Sequence, residues 1–452
     1  QGQTFDNLYN DVLGRMNQVT QTFYSDLEKF QAAGMPRVRN QIIREQGWFF
    51  QDDWRVTRNL TLNMGLRWEF FGVPRERDGF MGTLDKIDQM NSVSQISDLK
   101  VTRNNAWYKN DWNNFAPRFG FAWDVRGDGK TAIRGAYGTF YDRLIGATIS
   151  AVDGGTPGFS QAVPVYPNQT GTDKRAGDGI PLPVQPGAPV LQLPLTRSTS
   201  VRLFNPNIRA GYVHQYNLTV QRELFRNTVI EVGYVGTRGV KLFMNRDLNQ
   251  TRVYGDFLTA FKELQAFQAS NASLPSAGNT LVRIFGTPAA AISGLGASTV
   301  QQGQVGTAAN NLDITNNSRY AAAGVSQFYL RNFPQYNQAS QGNNDGQSYY
   351  NSLQFSVRRQ VGAVKVNANY TLSKSTDTSS VDGNGYTAPI DSYNLRLNKG
   401  RSDGDRPHSF NMSLIYILPV GRDKRFGGGM PRWADSLIGG WEMGLLGIWQ
   451  SG

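Results

Sequence analysis

The chain carries two histidines, His214 and His408, and no cysteine. Those counts narrow the available chemistry at once. Thiolate metal sites, disulfide staples and cysteine nucleophiles are excluded. Neither histidine belongs to an HExxH pair or to another metal-ligand spacing. His214 with a strand serine is the pairing a lipase would use. No oriented partner accompanies it, and a ring at the loop end of a strand serves equally as an interfacial side chain. There is no Gly-x-Ser-x-Gly. Gly129-Lys130-Thr131 has the ending of a phosphate-binding loop, but Asp124 stands where the first glycine is required. The loop carboxylates Asp173, Asp178, Asp377 and Asp382 could hold calcium, yet they lack EF-hand spacing and read as solvated. No cofactor, no metal and no enzymatic activity are therefore expected. What remains is a set of polar side chains at alternate positions: Arg67, Glu69, Arg118, Arg134, Gln215, Asn217, Gln221, Gln354 and Arg358. Such a set can bind and pass a polar solute along one wall.

The wall is built by amphipathic strands. Leu60, Leu62, Met64, Leu66, Trp68 and Phe70 share one face of a strand, and Thr61, Asn63, Gly65, Arg67 and Glu69 share the other. Phe115, Pro117, Phe119, Phe121, Trp123 and Val125 repeat the pattern against Ala116, Arg118, Gly120, Ala122 and Asp124. Successive side chains of a strand point to opposite faces. A soluble sandwich shares that alternation. Length and connection separate the two. Strands of about 11 residues, tilted by ~45°, span about 25 Å, the apolar height of an outer-membrane barrel.

Composition agrees. Hydrophobic residues make up 39% of the chain, and no run approaches a membrane helix. Aromatics reach 12%, high for a polar chain. The net charge of +11 is dispersed, which suits lumen and loop positions and contact with anionic headgroups better than nucleic acid. No nucleic-acid partner is expected. No charged-then-apolar leader stands at Gln1, so the stretch is expected to be a piece of a longer precursor.

Along the chain, Phe5, Leu8, Tyr9, Val12, Leu13 and Met16 predict a short amphipathic helix over 1–16, with Thr4 as N-cap. The barrel portion is expected over 17–452. Strands are predicted near 17–25, 41–56, 60–71, 115–125, 131–141, 212–224, 228–241, 348–359, 364–375, 408–418 and 440–450. Asp52 and Asp53 obscure the faces of the second. Short turns at 57–59, 126–130, 225–227 and 360–363 alternate with long connections at 72–114, 142–211, 242–347 and 376–407. The long ones are expected outside the cell and the short ones in the periplasm. The longest has helical spacing at Phe257, Phe261, Leu264 and Phe267. Trp68, Phe70, Tyr137, Tyr141, Tyr212, Tyr216, Tyr349 and Tyr350 lie near long-loop ends, and Trp54, Trp123 and Phe225 near short-turn ends. Two aromatic belts follow, although aromatics are also simply common in strands. About eleven strands is an odd number, and an open sheet leaves unsatisfied edges in lipid, so further strands are expected beyond this stretch.

Several segments, in order, resemble one family. They are Gly47-Trp48-Phe49-Phe50-Gln51-Asp52-Asp53-Trp54-Arg55-Val56, Asn59-Leu60-Thr61-Leu62-Asn63 and Gly65-Leu66-Arg67. Asn114-Phe115-Ala116-Pro117-Arg118-Phe119-Gly120-Phe121-Ala122-Trp123 and Arg134-Gly135-Ala136-Tyr137-Gly138-Thr139-Phe140-Tyr141-Asp142 follow. Gln221-Arg222-Glu223-Leu224, Glu231-Val232-Gly233-Tyr234-Val235-Gly236, Tyr370-Thr371-Leu372-Ser373-Lys374-Ser375 and Asp405-Arg406-Pro407-His408-Ser409-Phe410-Asn411 complete the set. Together, over most of residues 40–452, they resemble the Oar-like TonB-dependent receptors of the outer membrane, which often carry an N-terminal carboxypeptidase-regulatory-like domain. The resemblance implies a barrel of about 22 strands closed by an internal plug and powered through TonB. It offers no fixed ligand residues to carry across, and neither plug nor TonB box is visible here. The expectation is thus an all-β, antiparallel transmembrane β-barrel, in part, whose long loops capture an extracellular ligand for import. Its partners are outer-membrane lipids, the TonB complex through a plug, and a bulky nutrient. An adhesive or structural surface protein and an open diffusion porin are the alternatives.

Overall fold

The computed structural model describes residues 2–104, 106–144, 146–167, 175–225, 227–270, 275–380 and 389–451. Ten antiparallel staves run in chain order across one sheet: β1 (Glu45–Thr57), β2 (Leu60–Phe71), β3 (Asn114–Asp124), β4 (Thr131–Asp142), β5 (Gly211–Phe225), β6 (Thr228–Asp247), β7 (Tyr336–Val361), β8 (Val364–Asp377), β9 (His408–Ile417) and β10 (Glu442–Gln450). Each pairs with the next, so β1 and β10 are the outer edges and the sheet is open. Two short strands extend it to twelve: Thr199–Phe204 runs parallel to β7, and Gly400–Arg401 pairs with β8.

Register settles the faces. Trp54 pairs with Leu62, and Leu62 with Phe121, while Asp53 pairs with Asn63, and Asn63 with Gly120. Directly paired residues share a face. Trp48, Phe50 and Trp54 therefore point outward with Leu62 and Trp68, whereas Phe49, Gln51 and Asp53 point inward. Trp48 and Phe50 are 70% and 74% exposed, a cost in water that lipid removes. The inward face carries Arg67, Arg118, Gln215, Gln354, Ser356, Asn367, Asn369 and Asn411. Tyr350 also lies inward, level with Thr237 and Ser375, so it does not join the outer aromatic belt. On β10 the rule weakens. Leu446 and Ile448 stand opposite Ser413 and Asn411 on the inward face and are 82% and 81% exposed.

The short turns follow from residues that accept left-handed backbone. Gly127 and Gly129 in the β3–β4 turn, Asn227 between β5 and β6, and Gly362 between β7 and β8 all have positive φ. Asp124 clamps its turn by accepting from the Gly127 and Gly129 amides.

Three expectations need correction. The strand near 17–25 forms as Val19–Tyr24, but it pairs with Ser160–Val165 in a separate two-stranded sheet. Alternation marks a strand and does not choose its neighbour. Among the described residues the staves thus number ten, and residues 17–44 belong to the structure above the wall. The helix spans Gly2–Val12, so Thr4 lies inside it rather than at its cap. The strands β6 and β7 also run far past the expected ends, which shortens the longest connection to 248–335.

The long connections fold into a cap with three buried cores. One is helical: Asp256–Ser270, Thr280–Phe285, Pro288–Leu295, Ala297–Gln301 and Val305–Thr315 enclose Phe257, Phe261, Leu264, Leu281, Leu295 and Leu312. Asn279 caps the second helix by accepting from the Val282 amide, and Thr287 caps the third from Ala290, with Pro288 at its first turn. The other two cores join several connections: Leu84, Leu99, Phe159, Val201, Phe333 and Tyr336 form one, and Met81, Trp107, Ile149, Phe204 and Ile208 the other.

Candidate functional site

The inward wall gathers part of the polar set. Arg118, Gln215 and Asn217 line one recess of about 330 Å³ with Gln51, Asn63 and Phe140. Pro117 explains where it lies. The β3–β4 ladder runs between Arg118–Asp124 and Ala132–Gly138 and stops one residue short of Pro117, whose ring offers no N–H for a further rung. Gly138 pairs with both Arg118 and Gln215. A Cβ on Gly138 would come within 2.9 Å of the Phe140 ring, so glycine lets that ring lie across the wall. The Arg118 guanidinium stacks on the ring at 4.9 Å from its centroid. Asn63 donates to Asp53 at 2.6 Å, closing the recess toward β1.

Arg67 lines an adjoining hollow of about 180 Å³ with Phe49, Gln51 and Arg118. It pairs with Glu69 at 2.8 Å. Arg134 donates to Gln221 at 3.0 Å, nearer the short turns. Gln354 donates to Ser352, and Arg358 stands opposite Val229 and Asn367; both lie on β7, two staves beyond β5, the last stave of the recess. The structure therefore joins Arg67, Arg118, Gln215 and Asn217 and leaves Arg134, Gln221, Gln354 and Arg358 elsewhere on the same face.

Phe140 connects the recess to a second hollow at the mouth, about 220 Å³, lined by Asp142, Arg143, Arg209, Gly211 and Asn344 as well. Arg143 pairs with Glu45 at 2.6 Å, and that hydrogen bond holds its pKa above the ordinary arginine value. Arg209 pairs with Asp111 at 3.0 Å. Sequence reading missed these residues because they follow strand ends, where no period assigns a face. Above the mouth the cap is locked by a buried acid. Asp313 Oδ2 accepts from Nε of Arg197 at 2.9 Å and of Arg331 at 2.5 Å, and Oδ1 accepts from the Tyr320 hydroxyl.

The histidines lie on the outward face. The His214 Nδ1 lies 2.9 Å from the Tyr137 hydroxyl and 3.1 Å from Thr139 Oγ1. Thr139 is 3% exposed, so its hydroxyl meets the ring rather than solvent. His408 Nδ1 lies 2.7 Å from the Tyr370 hydroxyl. Of the loop carboxylates, Asp173 and Asp382 fall outside the described residues. Asp178 accepts from the Arg175 amide, and Asp377 from Ser380 Oγ. Among the described residues, no three histidine or acidic side chains are grouped to hold a metal ion. The arrangement offers hydrogen bonds, cations and a stacking ring to a polar ligand.

A family described as outer membrane beta barrel domain matches over residues 2–452. No curated protein matches. The chain is similar to the ferripyoverdine receptor of the outer membrane of Pseudomonas aeruginosa, at 9% identity and a TM-score of 0.33, covering 85% of this chain and 27% of that one. It is similar to the outer membrane transporter YddB from Escherichia coli, at 9% identity and a TM-score of 0.36, covering 91% and 47%. It is also similar to the alcaligin outer membrane receptor FauA from Bordetella pertussis, at 11% identity and a TM-score of 0.30, covering 84% and 36%. The chain thus spans less than half the length of each of these solved structures.

Proposed function

This chain belongs to the outer membrane beta barrel domain family, and from that premise we propose that it supplies wall and outer cap to a TonB-dependent receptor of the Oar-like kind. The bacterial outer membrane is its location. The cap captures a bulky polar nutrient, the mouth passes it to the Arg118 recess, and the inward polar face lines the route. An internal plug fills the lumen and releases it when TonB supplies energy. The observation that carries this reading is the continuity from cap to wall: Phe140 borders both the mouth hollow and the recess. A cap with its own buried cores is a binding structure, as long surface loops on a rigid scaffold commonly are. The inward leucine and isoleucine of β10 give a plug apolar surface to meet.

The test is uptake of a panel of radiolabelled peptides, oligosaccharides and iron chelates by cells making the full-length protein. The expected result is accumulation of one class that stops when TonB is deleted, with surface binding retained. Unchanged uptake without TonB would favour a porin. Surface binding without import of any probe would favour an adhesive role.

A further inference from the structure

Four cations gather on the outward face at the long-connection end. Arg238 lies opposite Tyr349, and its guanidinium sits 5.6 Å from that ring's centroid. The Lys399 ammonium sits 4.9 Å from the same ring. Lys374, opposite Asn351, lies one outward position deeper on the neighbouring stave. Lys241 falls in a bulge of β6, with φ of 54°, which turns its ammonium to 6.0 Å from the Tyr212 ring. All four are exposed, and none of them makes an ion pair with a described residue.

Among the described residues, three acids of this region are engaged or turned away. Asp405 accepts from Arg401 Nε at 2.7 Å and from the Ser375 amide at 2.7 Å. Asp377 lies on the inward face and accepts from Ser380. Asp345 pairs with Arg246. The cluster is therefore a net cationic rim set on tyrosines at the level where a wall meets headgroups. Lysine and arginine on a lipid-facing surface place their stems on apolar neighbours and reach for the interface. Unpaired there, they want an anion.

We propose that this rim around Tyr349 binds the phosphorylated sugar headgroup of an outer-leaflet glycolipid. Arg238 from β6 and Lys399 from the connection between β8 and β9 grip one phosphate, Lys374 rises from below, and Lys241 with Tyr212 meets the adjoining sugar. The occupant is argued from charge complementarity and from position. The assignment rests on the long connections facing the outside of the cell.

The experiment uses the full-length protein in neutral detergent with bisphosphorylated lipid A as probe, and dephosphorylated lipid A as comparison. Arg238→Gln with Lys399→Gln should weaken binding of the phosphorylated form on the order of tenfold or more, and leave the dephosphorylated form unchanged. Arg222→Gln with Arg359→Gln, outward cations at the short-turn end, should change neither. Heat-modifiable migration checks that each variant is folded. Equal loss of both lipids, equal loss in the Arg222 pair, or no loss would overturn the proposal. Separately, Lys399→Cys should react with an impermeant maleimide on intact cells. Failure to label would overturn the topology on which the assignment rests, independently of the detergent result.

Discussion

Asp313 accepts a hydrogen bond from Arg197 at 2.9 Å although 116 positions of chain separate them. One residue belongs to the helical lobe and the other to the connection between β4 and β5. Both are buried, as is Arg331 on the same carboxylate. The cap is thus one body rather than a set of independent loops. Replacing Asp313 with Ala leaves two guanidinium groups buried without their acid, which costs about 3–5 kcal/mol. The cap should then lose protection while the wall holds. Limited proteolysis should cut between 256 and 335 in Asp313→Ala, with unchanged heat-modifiable migration. A cap that stays as resistant as the parent's would refute the lock.

The face assignment gives a paired prediction. Leu62 stands between Trp54 and Phe121, and Asn63 stands beside Asp53. Leu62→Arg should cost roughly 2–4 kcal/mol near the bilayer midplane, because its charge meets lipid. Asn63→Arg meets water, plug and an acid, so it should cost far less. Refolding of the full-length protein into lipid vesicles under a urea series measures both. Equal losses would remove the assignment.

These two cases show what the sequence makes legible. A period of two reads the faces of β2 to β9 because one side meets lipid and the other does not. It reads Arg67, Arg118, Gln215 and Asn217 as wall residues for the same reason. It cannot read partners. Val19 and Phe23 alternate like a stave, yet their strand pairs with Ser160–Val165. It also fails at β1, where Asp52 and Asp53 sit side by side and only register with Met64 and Asn63 separates them. Arg143 and Arg209 lie outside the strands and Asp313 lies in the helix Val305–Thr315, where a period of two says nothing, so their pairing is set by the tertiary fold alone.

Tyr393 supplies a pH test of how the connection between β8 and β9 docks. Its hydroxyl donates to the Gln250 carbonyl at 2.7 Å, and burial pushes its pKa up to about 12 from an ordinary 10.0. The unfolded segment ionises first, so the stability held by this contact is whole below pH 10 and falls as pH rises toward 12. The tyrosinate absorbance difference between the parent protein and Tyr393→Phe should show a midpoint near 12 when folded and near 10 when denatured. Coincident midpoints would mean the ring is not docked.

The helical lobe is a removable part, and its removal separates capture from the wall. Arg252 N donates to the Leu330 carbonyl at 2.9 Å, so the chain enters and leaves the lobe at one neck. Cutting at 242 and 347 would remove the ends of β6 and β7 along with Phe333 and Tyr336 from a shared core. Excising 253–329 and joining Arg252 to Leu330 with two glycines spares that core. It removes Asp313, but it also opens Arg197 and Arg331 to water, so no charge stays buried alone. The staves keep every hydrogen bond they need to cross the membrane. The excised protein should therefore migrate as a folded barrel and label at Lys399→Cys on intact cells. Surface binding of the imported probe should fall to background. Retained binding would place capture on the remaining connections, around the mouth formed by Arg143 and Arg209, and would leave the lobe as a lid rather than a receptor surface.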